Sequence, residues 1–223
     1  MTKNRTTCLK LRAGTAMRHF AVAAFSLCLA GCGSFLESDM PITTRYVIAA
    51  LPAAAAATPS AASDVDLSVG RPDVAPGLDT ERVAVLRGRE LDYYRGVQWS
   101  GRLTEVAQSF MVSSLQDQKL FSSVTAEQAR VSGTYMLDME VRDFQAEYTD
   151  GKVAPVARVT FVGRVIRIDD RQMIDTLQST ATHPATDNRM NAVAAAFEAA
   201  AQQVAAELAR NAASVIAKDR EQK

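Results

Sequence analysis

The stretch Tyr135-Met136-Leu137-Asp138-Met139-Glu140-Val141-Arg142 alternates apolar and polar side chains from Leu137 onward. A period of two places Tyr135, Leu137, Met139 and Val141 on one face of a strand, with Asp138, Glu140 and Arg142 on the other. Asp150-Gly151 predicts a two-residue turn. A returning strand follows, with Ala157, Val159, Phe161 and Val165 on one face against Arg158, Thr160 and Arg164. Asp169-Asp170-Arg171 predicts a second turn, into a third strand over about residues 173–179. Such a meander has one wet face, and its dry face needs a cover.

The cover is legible downstream. Val193, Phe197, Ala200, Val204, Leu208 and Val215 form one helical stripe, with Asp187 or Asn188 available as N-cap. Burying its larger members contributes roughly 10 kcal/mol before entropy is subtracted. The charged tail, residues 218–223, is expected to fray. Upstream, a second helix carries Leu103, Val106, Phe110, Met111 and Leu115 on one face, with Ser100 as its expected cap. Residues 82–87 and 90–94 flank Gly88-Arg89 as a hairpin. Residues 65–69 alternate as a half-buried strand, residues 121–124 read as an edge strand or loop, and residues 45–48 read as a first strand. The Ala/Pro/Ser-rich stretch 49–63 reads as a loop, because Pro52 and Pro59 oppose a helix. The fold class is α+β: an antiparallel sheet of about four to six strands covered by two amphipathic helices.

The chain has 223 residues, 48% of them hydrophobic, with 25 basic and 25 acidic side chains. That suits one folded domain and excludes wholesale disorder. The balanced charge conceals an uneven distribution. Residues 1–31 hold five basic side chains (Lys3, Arg5, Lys10, Arg12, Arg18) and no acidic one, and the apolar run 20–30 follows. A basic flank, a short apolar run and small residues make a secretory leader, the run being too short to span a bilayer. Leu29-Ala30-Gly31-Cys32 resembles the lipobox of bacterial lipoproteins. The chemistry needs the Cys32 thiol to take a diacylglycerol thioether, and small neighbours so that a peptidase can hold the backbone. Cys32 is therefore the expected lipidation site, and residues 32–44 the lipidated cysteine and tether.

Removing residues 1–31 leaves 192 residues with 20 basic against 25 acidic side chains, a net of −5, because the leader takes five basic residues. Cys8, Cys28 and His19 leave with it, so His183 is the remaining imidazole and no disulfide is expected. An acidic domain without a basic stripe disfavours nucleic acid as a partner. The sequence has no Gly-rich phosphate loop, no Cys/His metal spacing and no Gly-x-Ser-x-Gly elbow, so neither a cofactor nor a metal is expected.

Tyr93, Tyr94 and Trp99 are the densest aromatic cluster. Trp99 and one tyrosine are expected to pack between hairpin and first helix, with an exposed tyrosine at an interface as the alternative. Asp169-Asp170 and the Glu90/Asp92 pair read as solvated turn and strand carboxylates, and His183 as a surface loop residue before Pro184.

Cys32, Tyr46-Val47-Ile48, Arg82-Val83-Ala84-Val85-Leu86-Arg87, Glu90-Leu91-Asp92-Tyr93-Tyr94, Val97-Gln98-Trp99 and the Ala-rich last helix with Phe197 resemble the ABC-type transport auxiliary lipoproteins. The resemblance covers about residues 32–215, with the folded domain at 45–217. It implies a non-enzymatic, periplasm-facing lipoprotein in the bacterial cell envelope. It further implies service to a lipid-transporting ABC system, whose MCE-domain protein, permease and ATPase would be its partners. Phospholipid and a second copy of the chain are further possible partners. Gly33 after the lipidated cysteine favours the outer membrane. The alternative is a structural lipoprotein that assists an outer-membrane assembly machine of the lipopolysaccharide-translocon type.

Overall fold

The computed structural model describes residues 43–53, 64–129, 133–149 and 151–222. Contacts divide the chain into two units, Met1–Ile42 and Thr43–Lys223, and every described residue belongs to the second. Its strands are β1 (Thr44–Tyr46), β2 (Asp66–Val69), β3 (Asp73–Val74), β4 (Arg82–Arg87), β5 (Glu90–Trp99), β6 (Ser123–Ala126), β7 (Tyr135–Tyr148), β8 (Val156–Arg167) and β9 (Gln172–Pro184). The helices are α1 (Leu103–Gln118) and α2 (Met190–Glu221), with a 3₁₀ turn at Glu127–Ala129. The architecture is α+β, as the periodicities require.

The meander stands where its alternation places it. β7, β8 and β9 pair antiparallel, with Leu137 opposite Val165, Val141 opposite Phe161 and Phe161 opposite Ser179. Tyr135, Leu137, Met139 and Val141 are all buried. On the wet face Arg164 holds Asp138 at 2.9 Å and Glu140 at 2.8 Å, while Arg158 holds Glu147 at 2.7 Å. A register shift between Val141 and Asp143 reverses the alternation, so Phe144 and Ala146 turn inward beyond it.

The sheet is mixed rather than purely antiparallel. One edge of β7 follows β8 along its length. The other edge is shared in succession by β2 at Tyr135–Leu137, β3 at Glu140 and Val141, and β4 at Gln145–Tyr148, all parallel. β6 pairs parallel with β2, and β1 parallel with β5. The nine strands among the described residues exceed the expected four to six because β3 is two residues long and the ends of the sheet are short pieces.

Several boundaries differ from expectation. β5 runs past Tyr94 to Trp99 through a bulge in which Gly96 adopts φ +68°, a conformation glycine enters at little cost. The first strand ends at Tyr46, leaving Val47 exposed and Ile48 buried. Of the expected loop, residues 49–53 are described, and Leu51 N–H donates to Ser114 Oγ (3.0 Å) while Gln202 Nε2 donates to the Ala50 carbonyl (3.2 Å). That part straps both helices. The Asp150-Gly151 connection is longer than two residues, since β7 ends at Tyr148 and β8 begins at Val156.

Both helices lie on the dry face and enclose one core. α2, with 32 residues, is about 48 Å long and spans the length of β7. Ala200, Ala201, Ala205, Ala209 and Ala212 are fully buried, so the helix backbone sits close to the sheet. Gly163 of β8 makes room for its β7 neighbour: a Cβ there would lie 2.8 Å from Leu137 Cδ1, and 3.8 Å from Leu208 Cδ2 of the helix. Val215 is half-buried against the core as expected, and Ile216 beside it is fully buried, because the stripe drifts over so long a helix. The helix continues to Glu221, so residues 218–221 are helical rather than frayed.

Caps come from elsewhere than expected. α1 begins after Arg102, not Ser100, and Asp79 supplies its cap: Thr104 donates through its hydroxyl (2.5 Å) and N–H (3.4 Å) to Asp79 Oδ1. α2 begins after Arg189, whose N–H donates to Asp187 Oδ1 (2.8 Å).

Candidate functional site

Cys32 and the lipobox residues Leu29, Ala30 and Gly31 lie outside the described residues. The aromatic cluster is described, and its three members separate into three environments. Trp99 is core, 1% exposed, so it is no surface interface residue. Its ring meets Phe144 edge-on at 5.5 Å and Phe197 edge-on at 5.2 Å, while Phe144 and Phe197 stack at 5.1 Å. The indole therefore joins β5 and β7 to α2, rather than filling the space between the hairpin and α1.

Tyr93 and Tyr94 are half-buried. Tyr93 donates its hydroxyl to the Gly77 carbonyl (2.7 Å), and the Arg82 guanidinium lies 3.9 Å from its ring centroid. The Tyr94 and Tyr148 hydroxyls are 3.0 Å apart, Tyr148 donates to Asn188 Oδ1, and Arg87 stacks 4.7 Å from the Tyr148 ring centroid. Burial, then the bond to Tyr148, pushes the Tyr94 hydroxyl far above the ordinary phenol range. This chain ties the hairpin, the end of β7 and the start of α2 together. An open cleft of about 420 Å³, lined by Leu86, Gly88, Glu147, Tyr148 and Thr149, lies beside it.

The opposite end of the sheet carries an ionic cluster that the sequence pattern did not reveal. Arg167, with 10% of its side chain exposed, donates to Asp219 (3.0 Å) and Asp170 (3.1 Å) and also to Gln172. Tyr135 donates to Asp219 (2.7 Å), and burial followed by this bond pushes its hydroxyl up to about 12. Arg220 forks onto Asp64, with Nη2 2.7 Å from Oδ2. Arg167 and Arg220 hold Asp170 and Asp64 below the usual carboxylate range. Asp170 is thus the partner of a largely buried arginine, not a merely solvated turn former. A cleft of about 400 Å³ opens between Asp64, Gly133, Tyr135, Arg167 and Arg220. Both arginines facing it are paired with carboxylates.

His183 lies within β9, opposite Ala157, and not in a loop. It is exposed. Among the described residues no group of His, Cys, Asp and Glu could hold a metal ion, and no buried side-chain polar atom lacks a partner. Among them, too, no helix is long and apolar enough to cross a membrane.

Comparison with known proteins agrees with this architecture. The protein XCC0632 from Xanthomonas campestris superposes with a TM-score of 0.69 at 25% identity, covering 81% of this chain and 99% of its own. A second solved structure, described only as an uncharacterized protein, gives a TM-score of 0.59 at 16% identity, over 76% of this chain and 97% of its own, and shows the fold alone. No curated protein matches the sequence. The sequence profile of the ABC-type transport auxiliary lipoprotein component family matches residues 46–209, from the end of β1 to the last third of α2. This chain belongs to that family.

Proposed function

We propose that the protein is fixed through Cys32 to the periplasmic face of the outer membrane. There it serves as the docking component of an MCE-type ABC system that moves phospholipid between membranes, and it catalyses no reaction itself. The observation that carries this reading is the family match across almost the whole folded domain. The leader with its Leu29-Ala30-Gly31-Cys32 sequence and Gly33 at the following position supports the anchor and the choice of membrane. A tether of a dozen residues reaches roughly 40 Å when extended, so the domain works beside its own bilayer and relies on a partner to span the periplasm.

Crosslinking in membranes of the producing cells, followed by purification of the chain and mass identification of its partners, tests the reading. An MCE-domain protein with its permease and ATPase is the expected catch. A β-barrel of an outer-membrane assembly machine in their place would favour the structural-lipoprotein alternative.

A further inference from the structure

Three connections and the start of α2 meet at one end of the sheet. The β4–β5 hairpin turns at Gly88, with Arg87 opposite Glu90 and also in register with Tyr148 of β7. β7 passes to β8 beside it, and β9 leaves the sheet at Pro184, opposite Val156, to enter α2. Arg87, Arg89, Lys152, Val153 and Arg189 are exposed across this end. Val153 is 81% exposed, more than any other large apolar side chain described, and the Arg189 side chain is 87% exposed. Glu90, Asp187 (3.9 Å from Arg189) and Glu147, which Arg158 holds at 2.7 Å, are the neighbouring carboxylates, and Asp150 adds one more in sequence. The Tyr94–Tyr148–Asn188 chain braces these turns from below.

The direction of β1 links this end to the expected anchor. β1 pairs parallel to β5 with Thr44 opposite Val97, so β1 opens on the side where β5 begins. Seven residues of β5 separate Val97 from Glu90, about 23 Å at the rise of a strand. The 12 residue steps from Cys32 to Thr44 extend at most to roughly 40 Å. A lipid on Cys32 would hold Thr44, which enters β1 on the side of the Gly88 turn, within that distance of a bilayer.

We propose that the Gly88 end of the sheet, through Arg87, Arg89, Lys152, Val153 and Arg189, seats the domain on an anionic phospholipid surface. The proposal rests on the lipidation of Cys32. One valine and a slight excess of cations make a contact too weak to recruit the free domain. The tether raises the effective concentration of that surface, so a weak contact suffices to fix orientation.

The lipidated protein, in vesicles of phosphatidylethanolamine and phosphatidylglycerol, is spin-labelled at Val153→Cys. Met173→Cys is the control, because Met173 is 58% exposed and opposite Ile166 at the other end of the sheet. The ratio of oxygen access to aqueous nickel-chelate access is expected to be severalfold higher at Val153→Cys than at Met173→Cys. Protein that floats with the vesicles while both labels remain equally open to water overturns the contact alone. Protein that does not float overturns both the anchor and the contact.

Discussion

Trp99 is the side chain on which three elements converge, because its edge-on contacts with Phe144 and Phe197 bridge β5, β7 and α2. Trp99→Ala removes a fully buried indole that the surrounding alanines cannot replace, and is expected to cost about 3–5 kcal/mol, read as a fall in the urea midpoint by circular dichroism. Asp79 acts at the same scale by capping a helix from outside its own segment. Its carboxyl is held low by Arg102 first and then Thr104, and Glu140 is held low chiefly by Arg142. A depressed folded-state value gives stability that is present above the ordinary carboxylate range, near 3.8 for Asp, and is lost as pH falls through the lower folded value. The thermal midpoint is therefore expected to hold from pH 7 to about 5 and to drop below about 4. Asp79→Asn should lower the midpoint at pH 7 and flatten part of that acid drop. A flat profile from pH 6 to 3 in the unmodified protein would contradict the assignment.

The meander and α2 were readable in the sequence because their signals are local: alternation over residues 135–142, a turn at Asp169-Asp170-Arg171, and apolar residues at helical steps. The parallel pairs were not, since nothing within β2, β3 or β4 states that each will use a different part of one edge of β7. The end of α2 escaped for a related reason. Its charged residues read as a solvated tail, whereas Asp219 and Arg220 find partners at Arg167 and Asp64, far away in the chain. Asp219→Asn is expected to speed amide exchange over residues 213–221 while leaving the β7–β8 ladder protected; uniform acceleration would mean that the pair is not a local clamp. Close approach of α2 is the second property of this element. Ala205→Leu pushes the helix off the sheet and is expected to cost about 1–3 kcal/mol in chemical denaturation.

On the scale of the whole molecule, the expected anchor and the folded domain are separable. Cys32→Ser is expected to move the protein from the membrane to the soluble fraction on cell fractionation, because it removes the thiol that would carry the thioether. Retention on the membrane would show that something other than the thioether holds it. The expected lipidation signal consists of adjacent residues with a defined chemistry, so sequence alone suffices to raise it. The aromatic candidates were not legible in that way, since whether Tyr93, Tyr94 or Trp99 faces solvent depends on Gly77, Tyr148 and Phe197, which are distant in sequence.

The chain has one tryptophan, and it stands at the junction of sheet and long helix. Its intrinsic fluorescence therefore comes from a single dry position. Emission at short wavelength reports that α2 is docked on the sheet, and a red shift reports that it has parted from it. The protein carries its own optical gauge of tertiary packing, with no dye to attach.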